Sequence, residues 1–446
     1  MEKNGQLSAE LLAKMQQEYH KCKKNTVVRR ALYNGPVTNL AKNGENKLAT
    51  DFLFNVDIPT MSATNQRASG RCWIFAACNV LREILGKRLG IKDFELSQNY
   101  IAFFDRLEKV NYELEAIIDL IEADHDDRTL CHVLDYALGD GGQWDMFVNI
   151  IKKYGIVPKK AMPETFQSNN TALTNRLLHA ELRKFAYVAK KAYQESGLAK
   201  VRELKDELLQ NVYNLLTSAH GLVPTQFDFE YKNDKNEVCV EKDLTPKSFF
   251  DKYFKDIIDD YVSLTNAPTH DKPFNQTFTV KYLGNVLEGK KVVHLNVEMA
   301  RLVELAKTQL KNGEVIWFGS DCSLFSDRDE GIWDDLSWDY KTPFGLDFDF
   351  TKEAGLDYLA SVMNHAMVLT GVHLDENDQP VRWKVENSWG SEKAFSGYHV
   401  MSQSWFNRFV FQIVINKKYL NEQELNALKQ EPIELKPWDP MGSLAR

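Results

Sequence analysis

The chain has 446 residues, of which 43% are hydrophobic and 26% are charged, a balance typical of a soluble globular protein. No segment approaches the run of about 20 apolar residues that a transmembrane helix needs. Residues 1–6 lack the basic and apolar regions of a signal peptide. The net charge of −8 weighs against general nucleic-acid binding, which needs a basic surface.

The cysteines are too few and too scattered for the disulfide framework of a secreted protein of this length. The six are Cys22, Cys72, Cys78, Cys131, Cys239 and Cys322. A reduced protein is the simpler interpretation, and we expect a cytoplasmic location with no membrane association.

An amphipathic helix is predicted over residues 8–24, opening at Ser8. The segment up to about residue 60 is interpreted as an N-terminal extension. It is too short for an inhibitory pro-domain, so we expect an enzyme that is made in active form.

A cysteine then follows a loop of small and polar residues, Gln66-Arg67-Ala68-Ser69-Gly70-Arg71-Cys72-Trp73. The apolar run 73–77 predicts a buried helix that begins at Cys72. Because a helix N-terminus favours negative charge, we expect the pKa of the Cys72 thiol to be lowered, giving a nucleophilic thiolate. The side-chain amide of Gln66 would reach an oxyanion formed beside the sulfur.

The segment from about 107 to 138 is acidic and helix-prone. Residues 124–127, with Cys131 and His132, lack a recognisable metal-ligand spacing, and an acidic solvated helix is the favoured interpretation. No metal or cofactor is therefore predicted. Gly141 and Gly142 come next and precede a helical run to Tyr154; by chemistry alone such a pair predicts a turn.

The middle third is predicted to be helical, because apolar residues recur there at a spacing of three to four. Two such series cover residues 178–192 and 201–215, and the second ends before Gly221. Thr245-Pro246 opens a third helix. Its predicted apolar stripe consists of Phe250, Tyr253, Phe254, Ile257 and Tyr261.

From about residue 290 a helix over 298–312 leads into a β-rich block. Its strands are predicted at about 314–318, 365–373, 381–386, 398–401 and 409–415.

Two of these strands carry residues suited to activate a cysteine. His365 opens one strand within Asn364-His365-Ala366, and Asn387 ends the next within Asn387-Ser388-Trp389-Gly390. A cysteine nucleophile is usually partnered by a base, and the base by an orienting group. A hydrogen bond from Asn387 would fix the tautomer of His365, and the indole of Trp389 would shield that bond from water.

These motifs, in this order, resemble those of the papain-like cysteine peptidases. Within that group the chain resembles the bleomycin hydrolase and aminopeptidase C family. The resemblance rests on the chain length and on the motifs at residues 70–73, 363–367 and 437–442. Secreted relatives usually carry a disulfide-bonded cysteine at the position of Ser69, and its absence here fits a reduced protein.

The resemblance implies an α+β fold: a papain-like two-lobed core, one lobe helical and one β-barrel-like, with a large helical insertion and a C-terminal arm. The expected units are an N-terminal extension (1–60), a helical lobe with the nucleophile (61–155), a helical insertion for oligomerisation (156–285), a β-rich lobe with His365 and Asn387 (286–420) and the arm (421–446).

The resemblance also implies a thiol aminopeptidase that acts on peptides through Cys72, His365, Asn387 and Gln66. The arm would lie in the non-primed side of the cleft and place a terminal carboxylate near the scissile bond, with Arg446 either kept or trimmed to leave Ala445. The expected substrate-binding residues are Gly141, Gly142, Asn364, Trp389, Ala445 and Arg446.

A closed homohexamer is expected, partly from the resemblance and partly because the helical stripes exceed what a papain-like core needs to cover. An endopeptidase or oligopeptidase is the alternative with the same chemistry. A non-catalytic scaffold or nucleic-acid-binding oligomer is the alternative of another class. Some members of the family bind DNA through a basic channel, but the basic residues at 21–30 are interpreted as a solvated helix face.

Overall fold

A computed structural model of the protein describes residues 5–44, 50–136 and 138–445. Within these ranges no helix has both the length and the apolar character needed to cross a bilayer. The helices are α1 (Ala9–Lys21), α2 (Lys23–Asn34), α3 (Thr38–Ala41), α4 (Cys72–Leu89), α5 (Gln98–Asp119), α6 (Arg128–Tyr136), α7 (Trp144–Tyr154), α8 (Ala172–His220), α9 (Pro246–Tyr253), α10 (Met299–Lys311), α11 (Lys341–Phe344), α12 (Lys352–Asp357), α13 (Gln403–Phe409) and α14 (Glu422–Ala427).

The predicted N-terminal helix is present, but it is divided in two. Ser8 caps α1, accepting a hydrogen bond from the backbone N–H of Leu11 at 3.1 Å. The helix ends at Lys21, and Cys22 adopts an extended conformation before α2 begins. Neither helix buries any residue.

The predicted nucleophile helix is confirmed as α4, which begins at Cys72. Its residues 72–83 are all buried, as expected for a helix that is apolar on most faces. Gly90 ends it with φ of +68°, a left-handed conformation that glycine adopts without strain. The nucleophile position therefore lies at the end of a rigid, fully packed element.

The two predicted apolar series of the middle third lie on α8, which is interrupted at Gly197 (φ 76°) and ends before Gly221. Both series pack against the core of the same chain, so they do not by themselves indicate surplus surface. Leu178, Leu182 and Phe185 are buried in the core, and α8 packs along α5 of the same chain.

The middle third is also less helical than predicted. A β-hairpin follows α8, and the helix that opens at Thr245 ends at Tyr253 instead of reaching Tyr261, which begins a strand of the central sheet. The sheet thus begins well before the predicted lobe boundary at residue 286. The apolar spacing from 250 to 261 suited a helix, but pairing with the strand at Val410–Asn416 decided the conformation.

The described strands form one twelve-stranded sheet and a separate hairpin. The strands are β1 (Val56–Asp57), β2 (Phe227–Lys232), β3 (Val238–Leu244), β4 (Tyr261–Thr265), β5 (Thr277–Val280), β6 (His294–Asn296), β7 (Ile316–Ser320), β8 (Ser326–Asp327), β9 (Ile332–Trp333), β10 (His365–Leu374), β11 (Pro380–Glu386), β12 (Tyr398–Ser402), β13 (Val410–Asn416) and β14 (Ile433–Leu435). The hairpin is β2–β3, and the order along the sheet is β14-β5-β6-β4-β13-β7-β10-β11-β12-β9-β8, with β1 also paired to β10.

The five strands predicted after residue 313 are confirmed to within two residues as β7, β10, β11, β12 and β13. β10 lies between β7 and β11 in the sheet, and α4 packs against it. The indole N–H of Trp317 on β7 donates to the carbonyl of Trp73 on α4 at 3.2 Å. This packing places the start of α4 beside the start of β10.

The C-terminal segment returns to the region of Gly141. It forms β14, which pairs in parallel with β5, and then a short 3₁₀ turn over Pro440–Ala445. The segment is therefore more regular than the extended arm that its prolines predict. Arg446 lies outside the described residues.

Candidate active site

Cys72 is the first residue of α4, and its side chain is buried at the junction of α4 and β10. The sulfur accepts a hydrogen bond from the backbone N–H of Ala366 at 3.4 Å and lies 3.9 Å from the carbonyl oxygen of Gly70. The thiol therefore lies directly beside the strand residue that follows His365.

The two antiparallel strands β10 and β11 bring His365 and Asn387 together. Nε2 of His365 is 2.9 Å from Oδ1 of Asn387, so a protonated Nε2 donates to the amide oxygen. The same oxygen accepts the backbone N–H of Ser388 at 2.8 Å, which fixes the orientation of the amide. The bond engages Nε2, and Nδ1 is the ring nitrogen that remains for proton exchange.

The indole of Trp389 stacks on the imidazole of His365, with ring centroids 4.9 Å apart and an interplanar angle of 20°. Asn387 is buried, so this stack and its surroundings keep water from the His365–Asn387 bond. The Trp389 ring also contacts the guanidinium of Arg328, whose Cζ lies 4.7 Å from the ring centroid.

Gln66 is anchored between the nucleophile loop and the Asn387 strand. Its Nε2 donates to the carbonyl of Ser69 at 2.6 Å, and its Oε1 accepts from the hydroxyl of Ser388 at 2.6 Å. A primary amide carries two N–H donors, so one remains beyond the bond to Ser69. The side chain is held rigidly, as a preorganised oxyanion donor requires.

The pKa of the Cys72 thiol differs from the expectation. Burial raises the pKa of the Cys72 thiol to about 11, although the backbone N–H groups of Ala366, Trp73 and Cys72 lower it. Burial also lowers the pKa of His365 to about 4, against the hydrogen bond to Asn387, which raises it. The expected low thiol pKa is therefore not found, because desolvation outweighs the helix N-terminus.

The glycine pair separates into two roles. A Cβ on Gly142 would collide with the indole of Trp73, whereas a Cβ on Gly141 would collide with the backbone carbonyl of Leu444. Gly142 thus permits packing on α4, and Gly141 lies against the C-terminal segment.

The C-terminal segment contacts both the helical and the β-rich part of the chain. Leu444 meets Gly141 on the helical side, and the hydroxyl of Ser443 donates to the carbonyl of Met363 at 2.7 Å on the β-rich side. Ala445 is half-buried at the end of this segment.

The side chain of Asn364 is directed into its own lobe. Its Nδ2 donates to Oδ1 of Asp321 at 2.7 Å, and its Oδ1 accepts the backbone N–H of Cys322 at 3.0 Å. The amide of Asn364 therefore stabilises the segment that precedes His365.

A further residue, Asp140, was not singled out by the sequence. Its carboxylate accepts the backbone N–H of Gly70 at 2.8 Å and is bound by Arg106, Thr171 and Asn175. Burial alone would raise the pKa of Asp140, but Arg106 and these hydrogen bonds hold it below its usual range. The only sequence signal is the position of an acidic residue directly before the glycine pair.

A second feature that the sequence did not reveal is the buried ion pair between Arg82 on α4 and Glu386 on β11, at 2.7 Å. Burial raises the pKa of Glu386 to about 7. The pair connects the helix that begins at Cys72 with the residue before Asn387. No local sequence motif predicts this ion pair, because its partners are 304 residues apart.

Among the described residues, no three or more His, Cys, Asp or Glu side chains are grouped so as to hold a metal ion. All six cysteines carry free thiols.

A model of the Peptidase C1-like family matches residues 6–442. The chain is 45% identical to an aminopeptidase C of Listeria monocytogenes over 99% of both chains. It is 48% identical to the aminopeptidase C of Listeria innocua over 91% of both chains. The crystal structure of PepW from Lactobacillus rhamnosis superimposes with a TM-score of 0.96 at 42% identity, covering 99% of both chains. The predicted α+β papain-like fold and the predicted enzyme class, a cysteine peptidase, are thereby confirmed.

Proposed function

The chain belongs to the Peptidase C1-like family, and from that premise we propose that it is a cytoplasmic thiol aminopeptidase that uses Cys72 as its nucleophile. The observation that carries the proposal is the oriented His365–Asn387 pair, at 2.9 Å, with the next residue of β10 bonded to the sulfur of Cys72. The aminopeptidase C relatives support the choice of N-terminal cleavage.

Attack on the peptide carbonyl begins from a neutral thiol and a neutral imidazole, the forms that burial favours. Nδ1 of His365 takes the thiol proton as the carbon–sulfur bond forms. The second N–H of Gln66 and the backbone N–H of Cys72 stabilise the oxyanion. Asn387 holds the ring so that the imidazolium is stabilised and correctly oriented.

His365 then protonates the departing amine, which leaves the N-terminal residue as a thioester on Cys72. Water attacks this acyl-enzyme with His365 as the base, and the free thiol is restored. Every step uses side chains and backbone groups of this chain, and no metal or organic cofactor takes part.

The C-terminal segment supplies the restriction to N-terminal residues. Because it contacts Gly141 and Met363 from opposite lobes, it closes the part of the cleft where residues before the scissile bond would lie. A terminal carboxylate there pairs with the α-ammonium of the substrate. Ala445 carries that carboxylate if Arg446 is trimmed. Gly141, Gly142, Asn364 and Trp389 form or support the walls of the site.

We further propose that the chain divides into the predicted units, with the β-rich lobe extended to include β4 and β5. We also propose that the protein forms a closed homohexamer. The support for the oligomer now comes from α1 and α2, whose apolar side chains remain exposed, instead of from α8.

Hydrolysis of a free-amine aminoacyl fluorogenic substrate and its N-blocked counterpart, with and without a thiol alkylator, tests this function. Cys72→Ala should abolish turnover, and alkylation should inhibit the unmodified enzyme completely. Cys22→Ala is the matched control, since Cys22 is exposed and free. Preferential cleavage of the N-blocked substrate would favour an endopeptidase. Salt-sensitive retention on DNA without hydrolysis would favour the scaffold.

The proton step has its own test, the pH dependence of Cys72 alkylation by iodoacetamide. A neutral pair predicts a rate that rises with pH from about 6 to 9, as thiolate forms. A rate already at its plateau over this range would show a preformed thiolate–imidazolium pair instead.

A further inference from the structure

Arg328 occupies the turn between β8 and β9 and covers the active-site indole. Its side chain is exposed, and its Cζ lies 4.7 Å from the centroid of Trp389, which in turn stacks on His365. A cation and the proposed catalytic imidazole therefore contact the same indole.

The acidic neighbours of Arg328 are paired with lysines. Lys42 binds Asp327 at 2.7 Å and Glu330 at 2.8 Å, and Lys393 binds Asp329. Within the described ranges, no carboxylate forms an ion pair with Arg328 itself. The guanidinium thus keeps its charge and its hydrogen-bond donors for a group from outside.

The turn that presents Arg328 is fixed by its own hydrogen bonds. Oδ1 of Asp327 accepts the backbone N–H groups of Asp329 and Glu330 at 3.0 and 2.9 Å. The indole holds the side chain from below through a cation–π contact. A guanidinium positioned in this way is suited to planar recognition of a carboxylate.

The position of Arg328 relative to the reaction identifies that carboxylate. The N-terminal residue of the substrate lies on the side of Gly141 and the C-terminal segment, whereas His365 delivers its proton to the departing amine. The part of the substrate beyond the scissile bond therefore passes His365 and Trp389. In a dipeptide or tripeptide, that part ends in a free α-carboxylate.

We infer that Arg328 binds the free α-carboxylate of short peptide substrates and gives the enzyme a preference for di- and tripeptides. This inference rests on the proposed aminopeptidase function. It assigns Arg328 to substrate selection on the leaving-group side, opposite the C-terminal segment.

The test compares Leu-Gly and Leu-Gly-Gly with their C-terminal amides, in the unmodified enzyme and in Arg328→Gln and Arg328→Lys. Arg328→Gln should lower kcat/KM for the free acids about three- to tenfold, the range of a partly exposed charge-assisted pair, mainly through KM. The amides should be unaffected. For Arg328→Lys, kcat/KM for the free acids should lie between the values of the unmodified enzyme and Arg328→Gln. Lysine keeps the charge but lacks the planar fork of donors.

Arg88→Gln is the matched control. Arg88 is at the far end of α4 from Cys72 and pairs with Asp256 at 3.0 Å near the surface. Arg88→Gln should leave kcat/KM unchanged for both the acids and the amides.

An equal loss on acids and amides in Arg328→Gln, or a change in kcat alone, would show that Arg328 only covers Trp389 and would overturn the inference. The unmodified enzyme separates the two claims. If it fails to release leucine in an alkylation-sensitive way, the proposed function is contradicted and the inference with it. If it cleaves acids and amides equally well, the inference alone is contradicted.

Discussion

The two ends of the chain both extend beyond the papain-like core, but they differ in the burial of their apolar side chains. Helices α1 and α2 bury no residue. The C-terminal segment buries Leu435, Met441 and Leu444. The exposed large apolar residues from residue 7 to the end of α2 are Leu7, Leu11, Leu12, Met15, Tyr19, Val27 and Tyr33.

The attachments of the two ends differ in the same way. Asp439 pairs with the buried Lys272 at 3.0 Å, and Trp438 lies over the guanidinium of Arg128 at 3.8 Å. By contrast, α2 is held to the rest of the chain by a surface bond from Lys24 to the carbonyl of Thr342. This difference fits the proposal that the C-terminal segment shapes the active site and that the apolar face of α1 and α2 contacts another chain.

The largest effect is expected from removing the end of the C-terminal segment, residues 442–446. The deletion takes away the carboxylate that pairs with the substrate ammonium and the residues that close the cleft. We expect kcat/KM for free-amine substrates to fall about a hundredfold, as for loss of a charge-assisted pair in a closed site. Cleavage of N-blocked peptides should appear.

Deletion of Arg446 alone is the control, and it should leave both activities near those of the full chain. An unchanged preference for free amines after the longer deletion would mean that specificity arises elsewhere.

The next effect concerns the other end. Leu11→Glu combined with Met15→Glu places two charges on the apolar face of α1 and should dissociate the oligomer. Light scattering at micromolar concentration should then give a mass near 51.4 kDa, the mass of one chain, while hydrolysis persists. Lys14→Glu, on the polar face of the same helix, should leave the oligomer intact. A mass near that of one chain for the unmodified protein would refute the oligomer.

A smaller effect is expected from Lys272→Met, which removes the buried cation that pairs with Asp439. Lys272 is only 4% exposed, and removing one partner of a buried pair typically costs about 3 kcal/mol of unfolding free energy. Urea unfolding measures this loss, and the ratio of free-amine to N-blocked cleavage should fall as the segment loosens. Lys291→Met is the control, because its pair with Glu431 is exposed; it should change stability by less than about 0.5 kcal/mol. Equal losses in the two variants would contradict the difference between buried and exposed attachment.

The smallest effect should follow from Trp438→Leu, which keeps apolar bulk but removes the cation–π contact with Arg128. The expected loss is about 0.5–1 kcal/mol of unfolding free energy, with catalysis of free-amine substrates retained. Combining it with Arg128→Gln gives a double-mutant cycle that isolates the contact. A coupling energy near zero would show that Trp438 acts only through packing.

The sequence by itself determined the family, the fold class and the identity of the candidate catalytic residues. Cys72, His365 and Asn387 stand at element ends in short motifs, and the strands around them have an apolar pattern typical of a buried sheet. Such signals are local, so they can be read without knowing what the elements pack against. The Ser8 cap and the stop at Gly221 are local in the same sense.

The tertiary structure decided what depends on contacts between distant segments. Burial raises the pKa of the Cys72 thiol and outweighs its helix position, and the apolar series on α8 packs against α5 of the same chain. Tyr261 joins the sheet because β13 is available as a partner. Asp140, Arg328 and the Arg82–Glu386 pair meet their partners only when segments far apart in sequence come together. Desolvation and pairing energies depend on the whole surroundings of a group, and no local sequence pattern encodes those surroundings.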